Sequence, residues 1–455
     1  MNIKLVIHII FLSTFITYSL FAIDLEVDIF NSKYRPVSIL FSKTIDDNID
    51  DNKLCKNYSN DIINIVKQDL ENSGAFLVNI SNDGNIIFNK EISNFEISSI
   101  PYDNYDILVS SKCIYNEEKM DYKFALVIFN KDNEIILNTK YKVSLQKIDK
   151  YNLEYVSHLI SNDIYKNLLG IDGYFASSLI YVENEKNLMI SDYTGNNAVK
   201  IVDSKGKIYG PSLSSNNRYL AYVELIKGVS IIYLYDFDYK SSVKLGEFDG
   251  LSLSPRFSKD NNFLLFSIAN NGKTNIIEIN LSTKNYSTIT NDNNINLAGG
   301  YSYDDSMIVF NSDKAKNPHI YLFEKNTKKI KKISKNSGSY YNPSFAYNIN
   351  VVLFTKIYNK KFYIGLLSLD GEEKIVSDIN EDFAESPSWV YDDRHIIYQF
   401  VYKINNKEKL YKFCILDIIS GKKFFISPSK NVMDPIVSKL YLNSFNNMVQ
   451  KIQYY

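Results

Sequence analysis

The chain has 455 residues, enough for two or three domains, and an apolar share of 45% that can bury real cores, which excludes a disordered protein. Its 51 basic and 52 acidic residues leave a formal net charge of −1, so it lacks the electrostatic footprint by which proteins hold nucleic acid. The 36 tyrosines accompany abundant Ile, Asn and Lys, the drift of an AT-rich genome and not a binding signal.

Residues 1–22, "MNIKLVIHIIFLSTFITYSLFA", combine Lys4, an apolar run to Leu20 and a small residue at Ala22. This is the outline of a secretory signal peptide, with cleavage expected after Ala22 and a competing position after Ser19. No lipobox cysteine follows, so the mature chain is expected outside the cytoplasm and free of a lipid anchor. Residues 23–34 form an extended segment in which Ile23, Leu25, Val27 and Ile29 alternate with Asp24, Glu26 and Asp28. Alternation of this kind suits a half-buried strand, and a strand at a free terminus can dock on its own protein or be donated to a partner's sheet.

Residues 35–171 read as an α/β domain, a mixed sheet carrying two helices. "RPVSILFS" is a strand, and "NDIINIVKQDLENSG" places Ile62, Ile65, Val66 and Leu70 at helical spacing, with Asn60 or Asp61 as cap and Gly74 as stop. "YDILVSSKCIY", "YKFALVIFN" and "EIILNTKYKVSL" are strands, the last two joined by a "KDN" hairpin loop. A second helix with Leu153, Val156, Ile160 and Ile164 on one face stops at Gly170. Cys55, Cys113 and Cys414 are too few and too uneven for a disulfide framework, and pairing of Cys55 with Cys113 is left to geometry.

From residue 172 to 441 only strands and turns follow. Pro211, Pro255, Pro343 and Pro387 fit a period of 44 residues, with Gly299 in the remaining position. Each copy has strand–turn–strand content, as in "GPSLSSNNRYLAY", "SPRFSKDNNFLLF", "AGGYSYDDSMIVF", "NPSFAYNINVVLF" and "SPSWVYDDRHIIY". A fixed period of this length is that of a four-stranded propeller blade. Five blades are complete between about 203 and 430, and "DPIVSKLY" near the end supplies the missing first strand for "SSLIYV", "NLMISDY" and "NAVKIV". Joining them closes an all-β, six-bladed propeller without exposed edges and leaves 442–455 as a tail.

Several phrases resemble the TolB family, periplasmic propellers of the Tol-Pal system of Gram-negative bacteria. "IVKQDLENSGAF" resembles the family's "DL.NSG.F" helix end, while "LLGIDGYFASSLIYV" and "MISDYTGNN" resemble its "LTGI.G.F...IAYV" and "VSDYDG.N" junction phrases. The family's "SPDG" blade turn stands here as "SSNN", "SKDN", "SYDD", "AYNI" and "VYDD". The resemblance implies a monomeric periplasmic docking protein that binds the peptidoglycan-associated lipoprotein Pal and the inner-membrane protein TolA, in cell division and outer-membrane integrity. It further implies that the segment carrying Ile23, Leu25, Val27 and Ile29 is mobile and contacts TolA.

Catalytic chemistry finds little support in the residues. The elbow-like starts at Gly210, Gly250 and Gly300 lack the closing glycine and the strand-to-helix context of a nucleophilic serine. His158, His319 and His395 lie without ligand spacing, so no metal, cofactor or small-molecule substrate is expected. A glycan- or peptidoglycan-binding propeller is the alternative, although the single Trp389 falls within a blade strand. Blade equivalence instead selects the residue two before each anchor: Tyr209, Leu253, Leu297, Tyr341, Glu385 and Met433. Propeller geometry should place these around one mouth of the central channel, where an apolar ring marks a protein partner.

Overall fold

A computed structural model describes residues 34–44, 53–88, 95–97, 104–116, 121–132, 134–144, 150–377, 383–405, 408–429, 431–442 and 449–453. The leader and the alternating segment with Ile23, Leu25, Val27 and Ile29 lie outside the described residues.

The first domain contains β1 (Val37–Thr44), α1 (Lys53–Asn72), β2 (Phe76–Phe88), β3 (Phe95–Ile97), β4 (Ile107–Asn116), β5 (Asp121–Asn130), β6 (Ile135–Ser144) and α2 (Lys150–Leu169). Its sheet is mixed, in the order β3-β2-β1-β4-β5-β6. Strand β1 pairs parallel to both β2 and β4, whereas β4, β5 and β6 form an antiparallel meander. The faces of α1 (Ile62, Val66, Leu70) and α2 (Val156, Ile160, Ile164) are buried together against the sheet. Helix α1 begins well before Asn60: Tyr58 is already helical and packs edge-on to Tyr122 at 5.2 Å, so tertiary packing overrides the local capping signal. Its end is where the sequence puts it. Gly74 takes φ +70°, and a Cβ there would meet Ser420 Oγ at 2.3 Å, so glycine both stops the helix and admits the propeller. Cys113 is disulfide-bonded and Cys414 is buried in blade five; the side chain of Cys55 lies outside the described residues.

The second domain is the six-bladed propeller. Five four-stranded antiparallel sheets follow in chain order, with inner strands Lys207–Leu213, Leu251–Phe257, Asn296–Tyr301, Ser339–Phe345 and Ala384–Trp389. We number these blades one to five. Blade six joins Val432–Val437 to Ser178–Glu183, Asn187–Asp192 and Val199–Asp203, so the two ends of the propeller share one sheet. The join is clasped from both sides: Ser438 Oγ accepts from Ser178 N at 2.9 Å, and Ser178 Oγ accepts from Leu442 N at 3.0 Å. Beyond it, Val449–Gln453 pairs antiparallel with β6 and becomes the edge of the first domain's sheet. One continuous apolar core runs from that sheet into the propeller, taking in Tyr174, Phe175, Tyr193, Val390, Ile415 and Val437.

Neighbouring blades are also linked at their first turns. The fourth residue of the turn phrase adopts a left-handed conformation in Asn217, Asn261, Asp305 and Asp393, and its side chain accepts backbone N–H groups of the preceding blade. Asp305 is the clearest case, accepting from Lys259 N at 2.8 Å and Asp260 N at 3.0 Å. The substitution Asp305→Ala strands both donors and is expected to cost about 1–3 kcal/mol in urea denaturation. Asp305→Asn, which keeps one acceptor and tolerates the left-handed backbone, should cost less; equal losses would show that the contact is not what links these blades.

Candidate functional site

Each inner strand carries the same irregularity. Between Tyr209 and Ser212, Leu253 and Arg256, Tyr341 and Ser344, Glu385 and Ser388, and Met433 and Ile436 the pairing register shifts by a bulge. The residue before each proline is left-handed: Gly210, Ser254, Asn342, Ser386 and Asp434. These are the types that visit this region at least cost, Gly freely and Asn, Asp and Ser through short side chains. Blade three solves the same problem differently, with Gly300 at φ +140° and Gly299 so close to blade four that a Cβ would meet Pro343 O at 2.3 Å.

The bulges surround a central cavity of about 320 Å³. All five left-handed residues line it, together with the residues just past the anchors: Ser212, Arg256, Gly300, Ser344, Ser388 and Ile436. Sequence reasoning missed both sets, although the signal was present as the dipeptides Gly-Pro, Ser-Pro, Asn-Pro, Ser-Pro and Asp-Pro at one repeating position.

The six positions selected from the repeat lie one residue earlier on the same strands. Tyr209, Leu253, Leu297, Tyr341, Glu385 and Met433 are all half-buried, and of these Tyr209 lines the cavity itself. Burial pushes the Glu385 carboxyl above its ordinary value, and the Asp434 charge adds to the effect. The first turns lie at the other end of these strands, and Ser215, Lys259 and Tyr347 from them also line the cavity.

Side chains of the first turns meet at the turn side. Lys259 Nζ of blade two reaches to Ala346 O of blade four at 3.5 Å and lies 4.5 Å from the centre of the Tyr347 ring. The Tyr347 and Tyr391 rings are 5.0 Å apart, and Lys439 Nζ sits 4.0 Å from the Tyr391 ring while donating to its hydroxyl at 2.8 Å. Lys439 also pairs at 3.5 Å with Asp172, in the link between the domains.

The first domain packs on this same side. His158 Nδ1 of α2 lies 2.8 Å from Asp69 Oδ2 of α1, and Tyr193 of blade six donates to Asp69 Oδ1 at 2.5 Å. From blade five, Arg394 makes a two-pronged buried contact with Asp417, at 3.1 and 2.8 Å. Its guanidinium carbon is 4.5 Å from the Tyr34 ring, and Tyr34 donates to Ala75 O at 2.7 Å. The described chain therefore begins against the domain junction. Next to Arg394, His395 Nδ1 faces Asp392 Oδ2 at 2.6 Å and Nε2 faces Ser73 O at 2.8 Å, just past the end of α1. A carbonyl and a carboxylate only accept, so these partners favour the charged imidazole, in which both ring nitrogens donate. Its positive charge also faces the negative end of the α1 dipole. Burial alone would lower the His395 and His158 values; the charges of Asp392 and Asp69 respectively outweigh it and raise both above the ordinary 6.5.

The serines of the elbow-like phrases sit in blade strands and turns. Ser252 and Ser302 are fully buried, and Ser302 Oγ donates to Asp304 at 2.7 Å. His319 faces Ser334 Oγ at 2.9 Å. Trp389 is 2% exposed and donates its indole N–H to Ser344 O of blade four, so it tethers two blades and offers no glycan platform.

The family model of the TolB beta propeller domain matches residues 165–427. A Tol-Pal system protein TolB from Wigglesworthia glossinidia brevipalpis is 34% identical over 184 residues, 39% of this chain and 41% of the relative. One from Paramagnetospirillum magneticum is 29% identical over 225 residues, 47% of each chain. The matched stretch is thus less than half the length of either relative. The crystal structure of TolB from Acinetobacter baumannii superposes with a TM-score of 0.73 at 20% identity, over 89% of this chain and 97% of that one, a likeness of fold.

The junction histidines carry a pH dependence of definite sign. Groups whose folded values lie above the unfolded 6.5 give stability that is complete below that pH and is lost as pH rises through the folded values. Thermal melting should therefore fall as pH rises above 6.5, and the variant His158→Gln, His395→Gln should melt lower but with a flattened profile. A double variant that keeps the parent slope would place the effect elsewhere.

Proposed function

The chain belongs to the TolB propeller family, and from that membership we propose that it is a non-enzymatic docking protein of the Tol-Pal system. It works in the periplasm of a Gram-negative bacterium, binding a Pal-like peptidoglycan-associated lipoprotein at the propeller mouth and a TolA-like inner-membrane protein through its N-terminal segment. Its role is to support outer-membrane integrity and cell division. The observation that supports this reading is the central cavity, lined by Tyr209, with the five equivalent positions of the other blades half-buried on the same strands. Half-buried aromatic and aliphatic side chains around a concave opening are the composition that anchors a protein partner.

The N-terminal half of the proposal rests on where the chain enters. Tyr34 lies on Arg394, among the groups that join the two domains. A segment leading into that junction can favour one arrangement of blade five when docked and become available to a partner when released. A ligand moves such an equilibrium only by its differential affinity for the two states.

Two measurements test the reading. Tyr341→Ala should weaken binding of the soluble Pal-like domain from the same genome by more than about tenfold, with the melting temperature unchanged. If this variant and Tyr209→Ala both bind as the parent does, the contact lies elsewhere. Deleting residues 23–33 should abolish capture of the TolA-like domain and also change affinity for the Pal-like domain. Loss of TolA contact with Pal affinity unaltered would make the segment a tether and not a switch.

A further inference from the structure

At the position just past the anchor, the six blades present Ser212, Arg256, Gly300, Ser344, Ser388 and Ile436 to the central cavity. Five are uncharged and mostly small; the sixth is a long cation. Small neighbours around the ring leave room for the guanidinium inside the cavity instead of forcing it out. Arg256 is half-buried, and it donates from Nη1 to Pro255 O at 2.8 Å. A guanidinium has five N–H donors in a fixed fork. Among the described residues no other acceptor for Arg256 is found within hydrogen-bonding distance, and no carboxylate lies within ion-pair distance. Asp434 is the nearest opposing charge to act on it, and an oxygen of that side chain already accepts from Gly210 N at 3.1 Å. Burial pushes the Arg256 value below the ordinary one, with Asp434 acting against the shift. The cavity wall thus holds a half-buried cation whose donors are incompletely paired, a site that an anion can complete.

We propose that the cavity is a carboxylate site, in which the Arg256 fork receives the side-chain carboxylate of an acidic residue carried on a loop of the docked partner. The inference rests on the docking function proposed above and adds the chemistry of what enters. Entry is from the side of Tyr209, since the Lys259 and Tyr347 side chains crowd the turn side. Lys259 adds a second positive charge at the floor, and Pro211, Pro387, Pro435 and Ile436 provide apolar wall for the stem of the entering side chain. A loop suits the site better than a free anion. One guanidinium holds a dissolved carboxylate weakly, whereas a docked loop delivers it at high effective concentration. Arginine and carboxylate then form the two-pronged, charge-assisted contact that fixes register.

The chain's single tryptophan, Trp389, lines the same cavity and reports on it. Glutarate titrated into the full mature chain should give a saturable change in Trp389 fluorescence, and glutaramide, its neutral isostere, should give none. Arg256→Gln should abolish the glutarate response, Arg256→Lys should retain part of it, and Asp434→Asn, which keeps the Gly210 contact and removes the opposing charge, should strengthen it. For the Pal-like domain, Arg256→Gln should weaken affinity by about tenfold or more and flatten its salt dependence. No saturable response to glutarate in the parent chain, an equal response in Arg256→Gln, or a weaker one in Asp434→Asn would overturn the carboxylate site. A Pal-like domain that binds Arg256→Gln as tightly as the parent overturns the inference and leaves the docking function standing. A glutarate response with no binding of that domain does the reverse.

Discussion

Six inner strands must share one axis, and the bulge before each proline is how this chain meets that constraint. Without it, full-sized side chains from every blade would converge on the same line. The bulge instead brings one short side chain per blade to the channel from a left-handed residue, Ser254, Asn342, Ser386 or Asp434, with Gly210 as the relaxed case. Left-handed non-glycine residues carry strain on the order of 1 kcal/mol or more each, so the arrangement persists because closure of the ring over-determines it. Closure in turn depends on Val432–Val437 pairing with Ser178–Glu183, two segments at opposite ends of the propeller. The cavity, the mouth and the isolated Arg256 all follow from that geometry.

A second constraint acts at the domain junction, where charge is buried on purpose and almost fully paired. Asp69 is contacted by His158, Ser161 and Tyr193; Asp392 by His395 and Tyr165; and Asp417 by Arg394 and Ser420. Removing one member of such a set leaves a charge in a low-dielectric site, so the junction is sensitive to protonation in a way the apolar blade cores are not. The same few residues of blade five meet both the first domain and the side chains of the turn side. Tyr391 stacks in the Lys259–Tyr347–Tyr391–Lys439 row, and the next residue but two, Arg394, holds Tyr34. Proximity alone does not make this a signalling path, but any motion of that turn is felt at both places.

What could be read from the sequence was whatever repeats or is local. The 44-residue proline period, the antiparallel pairing of β5 with β6 and the glycine stops at 74 and 170 are short-range signals, and the fold reproduces them. The split blade was legible because a lone first strand has nothing else to pair with. Strands β2 and β3 were not, since "FLVNISNDGNIIF" has polar turn residues inside the strand and its parallel partner β1 lies beyond α1 in the chain. The strand at 449–453 depends wholly on β6. Nor could the junction be foreseen: Ser73, Asp69, His158, Tyr193 and His395 meet across separations of up to 322 residues, with no spacing to announce them. Of the six positions chosen from the repeat only Tyr209 lines the cavity, whose wall is formed mostly by the residues that follow them on each strand.

The turn phrases show why departure from a family pattern is not decay. "SSNN", "SKDN", "SYDD" and "VYDD" end in Asn or Asp, and that last residue is the one that caps the preceding blade. A glycine there would satisfy the left-handed backbone but supply no acceptor. "AYNI" alone breaks the rule: Ile349 packs beside the core between blades four and five, and no cap joins blade three to blade four among the described residues. That join is held by other means. Gly299 lets the backbone of blade three approach Pro343, Val309 and Ile320 pack with Tyr340 and Phe345, and Lys259 reaches past blade three to Ala346. The missing cap therefore falls beside a side chain, Lys259, that already links blade two to blade four.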